Sequence, residues 1–110
     1  MKTTQLGEFE ELVLLSVGAL GNDAYGVAIK DFVAEKTKRS PSIGALHSAL
    51  SRLEEKGFLK AEVGEATKKR GGRRKKYYQI TIAGRAALKV INELRSELYS
   101  MIPNLSFAGL

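Results

Sequence analysis

Two short β-prone runs, FLKAEVGE at residues 58–65 and Tyr77 to Ile80, flank a glycine pair, Gly71-Gly72. Every other patterned stretch of the chain repeats at helical spacing. Two strands around adjacent glycines predict an antiparallel hairpin, because glycine accepts the positive φ a tight reversal needs. A hairpin must cover one face against something, so the helices around it set the architecture.

Three helices precede it. From Glu8 to Leu20 the apolar residues Phe9, Leu12, Val13, Val17 and Leu20 recur at steps of three and four, with Leu14 and Leu15 on the flank. Glu8, Glu10 and Glu11 occupy the first turn, where acids complement the helix dipole. Gly21-Asn22-Asp23 reads as a turn with a capping side chain, opening a second helix at about Ala24–Glu35 whose face is Tyr25, Ala28, Ile29, Phe32 and Val33. Ser40-Pro41-Ser42 starts a third, capped by Ser40 or by Ser42. That helix runs to Lys56, with Ile43, Leu46, Leu50 and Leu53 on the core side and His47, Ser48, Ser51 and Arg52 on the other. Gly57 ends it.

After the hairpin, Thr81 caps a last helix in which Ala87, Ile91, Leu94, Leu98 and Met101 step by four, three, four and three. This seam is about two heptads long, and Pro103 stops it. The expected fold is mainly α with a small β-hairpin. The expected division is a winged helix-turn-helix domain over residues 1–80, a C-terminal dimerisation helix over 81–102 and a short tail over 103–110. A helix of that length carries more apolar surface than one small core covers, which points to a second copy of the chain.

Charge supplies the function. Residues 68–76 hold seven of the 18 Lys and Arg residues and no acid, leaving eleven bases against twelve acids elsewhere. The net charge of +6 is therefore one local feature on a nearly neutral body. Such an element is expected to bind a polyanion. In the winged helix-turn-helix order, the third helix enters the DNA major groove and the hairpin, or wing, touches the flanking backbone. Ser42, Gly44, His47, Ser48, Ser51 and Arg52 are the candidate residues of the third helix. Small residues let the backbone approach, hydroxyls accept or donate, and Arg52 can fork onto guanine or phosphate. Lys68, Lys69, Arg70, Gly71, Gly72, Arg73, Arg74 and Lys75 form the candidate wing contacts, neutralising phosphates or entering the minor groove. Phe9, Leu12, Ile91, Leu94, Leu98 and Met101 are the candidate dimer contacts. The alternative is a nonspecific nucleic-acid or RNA binder using the same basic hairpin.

Other classes fare worse. The chain has no cysteine and one histidine, so no metal site is expected. Gly71-Gly72 lacks the Lys-Ser/Thr of a phosphate loop, His47 has no nucleophile elbow, and the adjacent Glu54 and Glu55 point apart on a helix. We therefore expect neither an enzyme nor a cofactor. No apolar run has the length of a membrane span, and Glu8, Glu10 and Glu11 interrupt what would be a signal peptide. A cytoplasmic protein is expected.

The residues also resemble a known family over nearly the whole chain. LGEFEELVLLSVGAL (Leu6–Leu20), AYGVAI (Ala24–Ile29), GALHSALSRLEEKGFL (Gly44–Leu59) and GGRRKKYYQITIAGRAAL (Gly71–Leu88) are together similar to PadR-type transcriptional regulators. The resemblance implies a cytoplasmic homodimeric repressor acting on an inverted-repeat operator. It further implies a long C-terminal helix packed on the partner's N-terminal helix and, in some members, a small-molecule inducer near that interface. Two features depart from the family's pattern. His47 stands where a tyrosine is usual and Ser48 where proline is common, and a single helix follows the wing.

Overall fold

The computed structural model describes residues 5–64 and 75–103. Helix α1 spans Glu8–Leu20, α2 Gly26–Thr37 and α3 Ile43–Glu55; strands β1 (Leu59–Val63) and β2 (Lys76–Ile80) follow, and α4 spans Ile82–Ser100. The strands pair antiparallel, Leu59 opposite Ile80 and Ala61 opposite Tyr78. The fold is thus mainly helical with one two-stranded hairpin.

The core gathers one apolar stripe from each element of the first eighty residues. Val13, Leu14 and Val17 of α1 meet Ile29 and Val33 of α2 and Leu46, Leu50 and Leu53 of α3. Phe58, Leu59 and Tyr78 close it from the hairpin side. Each of the three α3 leucines is fully buried, a change of environment worth about 2 kcal/mol per side chain.

Local signals set most boundaries. Ser42, not Ser40, caps α3, its Oγ accepting the Ala45 N–H at 3.0 Å. Gly57 follows α3 with φ +80°, a conformation glycine adopts without a Cβ penalty. Thr81 caps α4 by accepting the Gly84 N–H at 3.0 Å, and the same hydroxyl donates to the Gly57 carbonyl at 2.6 Å. One side chain thereby fixes both the start of α4 and its place beside the end of α3.

The second helix begins later than its periodicity suggests. Gly21–Asp23 form a 3₁₀ turn, α2 starts at Gly26, and no side chain caps it. Tyr25 is held extended instead, in an isolated antiparallel bridge with Tyr77, while the Tyr78 N–H donates to the Ala24 carbonyl at 2.8 Å. Backbone pairing with the hairpin therefore removes residues 24 and 25 from the helix. At the other end α2 closes on Lys38, in the left-handed conformation with φ 60°, whose N–H returns to the Ala34 carbonyl.

Each acid of the first turn of α1 fastens a different element. Glu8 receives both terminal nitrogens of Arg39, at 3.1 and 2.6 Å, from the link between α2 and α3. Glu10 takes the Lys56 ammonium at 2.6 Å and the Gly7 N–H at 2.9 Å. Glu11 binds Arg95 of α4 at 2.7 Å. Two of these cations, Arg39 and Lys56, flank α3, so α1 brackets that helix from both sides.

Candidate nucleic-acid interface

The outward face of α3 is built by spacing. Gly44, Ser48 and Ser51 lie four and three residues apart and so form one line along the helix, on the side away from Leu46, Leu50 and Leu53. His47 and Arg52 flank the line, and Ser42 sits at the cap. All six side-chain positions are exposed. Arg52 forms no ion pair among the described residues, and the guanidinium on Glu8 belongs to Arg39.

The glycine in this line is not required by packing. Among the described residues, a Cβ built on Gly44 meets nothing within 4 Å. Gly84 is the contrast, since a Cβ there would collide with the Phe58 carbonyl oxygen. Gly44 keeps the start of α3 slim toward the outside.

Ile43 departs from the core side to which its spacing assigned it. Half of its surface is exposed, whereas Leu46, Leu50 and Leu53 keep at most 1%. Seven residues of helix fall about 20° short of two full turns, and the first residue of α3 lies at the rim of the core, outside its buried cluster.

Of the basic run, residues 68–74 lie outside the described residues, so Lys68, Lys69, Arg70, Gly71, Gly72, Arg73 and Arg74 have no described placement. The two described members fold back on the body. The Lys75 Nζ stands 4.1 Å from the centroid of the Tyr25 ring, a cation–π distance. The Lys76 Nζ lies 3.6 Å from Glu54 Oε1 and 5.4 Å from the Tyr78 ring centroid. Tyr77 and Tyr78, adjacent on β2, point to opposite faces. Tyr78 is core, and Tyr77 meets Tyr25 edge-on, with centroids 5.6 Å apart and planes at 69°.

Sequence reasoning missed this aromatic joint at the base of the hairpin. Its signal was the Tyr25-Gly26 step in AYGVAI, which reads as helix until the strand partner is known.

The candidate dimer residues divide into two groups. Phe9 and Leu12 of α1 are half-buried, Phe9 against the core. On α4, Ile91 is half-buried, while Leu94, Leu98 and Met101 are exposed, as is Val90. Leu94, Leu98 and Val90 line an apolar groove of about 730 Å³ with Leu6, Phe58 and Ala87. Beyond the Arg95–Glu11 pair, the second half of α4 is largely exposed among the described residues.

Burial works to raise the Glu10 carboxyl pKa, but hydrogen bonds from Lys56 and the Gly7 N–H, with the charges of Lys56 and Arg52, outweigh it and hold it below its ordinary 4.5. The hydrogen bond from Arg39 likewise lowers Glu8. Both acids therefore stay ionised around neutrality. No group of His, Asp and Glu among the described residues could hold a metal ion, and no helix of the described residues is long and apolar enough to cross a membrane.

Three helices, an antiparallel hairpin and a long fourth helix in this order are the architecture of winged-helix regulators. The sequence profile of the transcriptional regulator PadR-like family matches residues 13–90, and the chain belongs to that family. Among solved structures, the chain is similar to a PadR-like transcription factor from Bacteroides fragilis (TM-score 0.74, 23% identity, 89% of each chain). It also resembles a PadR family transcription regulator from Clostridium difficile (0.70, 24%, 84% of this chain and 92% of that one). A third is a transcriptional regulator from Clostridium thermocellum (0.67, 29%, 83% and 85%). An uncharacterized protein of Lysinibacillus sphaericus is 31% identical over 106 residues, covering 94% of this chain and 92% of its own. Members of this family are transcriptional regulators, and the chain is not an enzyme.

Proposed function

We propose that the protein is a homodimeric repressor that binds double-stranded DNA sequence-specifically in the cytoplasm. Residues 1–80 form the reading head, α4 within residues 81–102 joins two copies, and residues 103–110 are a tail. Ser42, Gly44, His47, Ser48, Ser51 and Arg52 face the major groove, and the basic run on the hairpin holds flanking phosphates or enters the minor groove. Two α3 helices related by a dyad would read an inverted repeat with half-sites about 34 Å apart or somewhat more. The apolar groove along α4 offers an inducer a place beside the partner copy.

The observation that carries this reading is Gly44. Glycine in place of alanine costs a helix up to roughly 1 kcal/mol in its interior and less in the first turn, where Gly44 sits, and among the described residues the glycine relieves no internal contact. A close approach from outside accounts for it, and the line of Ser48 and Ser51 extends the same slim face along α3.

The test is selection of duplex fragments from the source genome by the purified protein at near-physiological salt, followed by sequencing. A few fragments sharing an inverted repeat are the expected result. Recovery of all fragments in proportion to their abundance would overturn it and favour a nonspecific or RNA-binding role for the basic hairpin.

A further inference from the structure

The first turn of α3 presents Ile43, Gly44 and Ala45, all exposed. Of these, Ile43 alone has a side chain longer than a methyl group, and half of its surface is open to solvent. It sits at the first helical position, set by the Ser42 cap, outside the cluster of buried core residues. Residues near the N-terminus of a recognition helix are those that reach base edges. In the major groove the apolar feature of a base edge is the methyl at C5 of thymine. The exposed face of α3 carries neither Asn nor Gln, the side chains that read adenine through a bidentate hydrogen bond. An A·T pair under this turn would therefore be recognised from its thymine side.

We infer that Ile43 is a specificity-determining residue that packs on the C5 methyl of a pyrimidine, thymine in unmodified DNA, one in each half-site. The inference rests on the DNA-binding reading above. Gly44 beside it makes the methyl reachable, because the helix start can approach until the Ile43 side chain itself touches the groove floor. Ser48 and Ser51, a turn and two turns on, contribute hydroxyls, so the helix would read an apolar base edge at its start and polar edges farther along.

The test uses a fragment recovered by the selection, with each thymine replaced singly by deoxyuridine, which removes only the methyl. Wild-type protein is expected to lose about fourfold in affinity at one symmetry-related thymine per half-site, the worth of one buried methyl. Ile43→Ala is expected to bind the parent fragment more weakly and to show no thymine-over-deoxyuridine preference there. Because Ile43 lies outside the buried core, its Ala variant should melt near the wild type and keep the wild-type salt slope, which distinguishes impaired base reading from unfolding. At the same position, a 5-methylcytosine·guanine pair should be bound better than its unmethylated form and less well than thymine·adenine. Sequence-specific binding in which no deoxyuridine matters, or in which Ile43→Ala keeps the full penalty, overturns the inference alone. Failure of the selection to return any preferred sequence overturns the DNA-reading function, and this inference with it.

Discussion

The Lys56 ammonium lies 2.6 Å from Glu10 Oε1, and both side chains keep only about a tenth of their surface in water. Lys56 also donates to the Gln5 carbonyl at 2.5 Å. The pair thus joins the first turn of α1 to the residue that closes α3. Glu10→Gln leaves a largely desolvated ammonium without its counter-charge, and stability should fall by about 2–3 kcal/mol, read from urea midpoints.

The same pair sets an acid limit. The folded-state pKa of Glu10 is depressed, so its contribution is complete above the ordinary value of 4.5 and is lost as pH falls through the lowered one. The stability gap between wild type and Glu10→Gln should be constant from neutrality to about pH 5 and shrink below 4.5. A gap that widened on acidification would contradict the pairing.

Gly84→Ala opposes two effects. Helix propensity favours alanine by about 1 kcal/mol, but the added Cβ would collide with the Phe58 carbonyl oxygen and press on Ile80 Cγ1 at 2.9 Å. The backbone cannot turn aside as a side chain can, so a net loss of about 1–3 kcal/mol is expected in chemical denaturation.

Lys38→Gly should act in the opposite direction. The left-handed φ of 60° suits glycine at a helix end, and the Lys38 side chain is exposed. A gain of up to about 1 kcal/mol is expected in thermal unfolding.

Arg73→Ala with Arg74→Ala should weaken binding to all duplexes and reduce the salt slope by about one unit for each phosphate no longer neutralised. Ser51→Ala or Arg52→Ala should change which sequence is preferred. Identical scaling by both sets, measured on specific and random duplexes across a salt series, would refute that division of labour.

Leu94→Glu or Leu98→Glu places a carboxylate in the exposed apolar stripe of α4. The expected product is a folded monomer with much weaker operator binding, seen by size-exclusion chromatography with light scattering. Dimers that persist in both variants would place the joint elsewhere.

What the sequence made legible was local chemistry. The Thr81 cap and the long last helix could be read from a few neighbouring residues, because caps and periodicity act over one or two turns. The hairpin was legible in kind, its first strand coming out shorter than the β-prone run, at Leu59–Val63, and its second one residue longer, at Lys76–Ile80. The start of α2 was hidden because Tyr25 is drawn out of the helix by Tyr77, more than fifty positions away. Ile43 was misassigned because helical angle alone cannot say where the core's rim lies. Charge counting treated Lys75 as an outward cation, while geometry turns its ammonium onto the Tyr25 ring. The first-turn acids of α1 were read as answering a dipole, whereas each of them also has a distant cation to hold.

The bridge between Tyr25 and Tyr77, with the Tyr78 N–H on the Ala24 carbonyl, has a consequence for the order in which the chain takes shape. A lone two-stranded ribbon is marginal in water, and this one borrows a short third edge from residues 24 and 25. Closing a loop of that size carries an entropic penalty that neighbouring-helix contacts such as those of α1 with α2 avoid. A chain still emerging from the ribosome can therefore assemble its first three helices before the ribbon has its anchor. The positively charged arm is fastened only afterwards, when Tyr77 and Tyr78 are free to return to the start of α2.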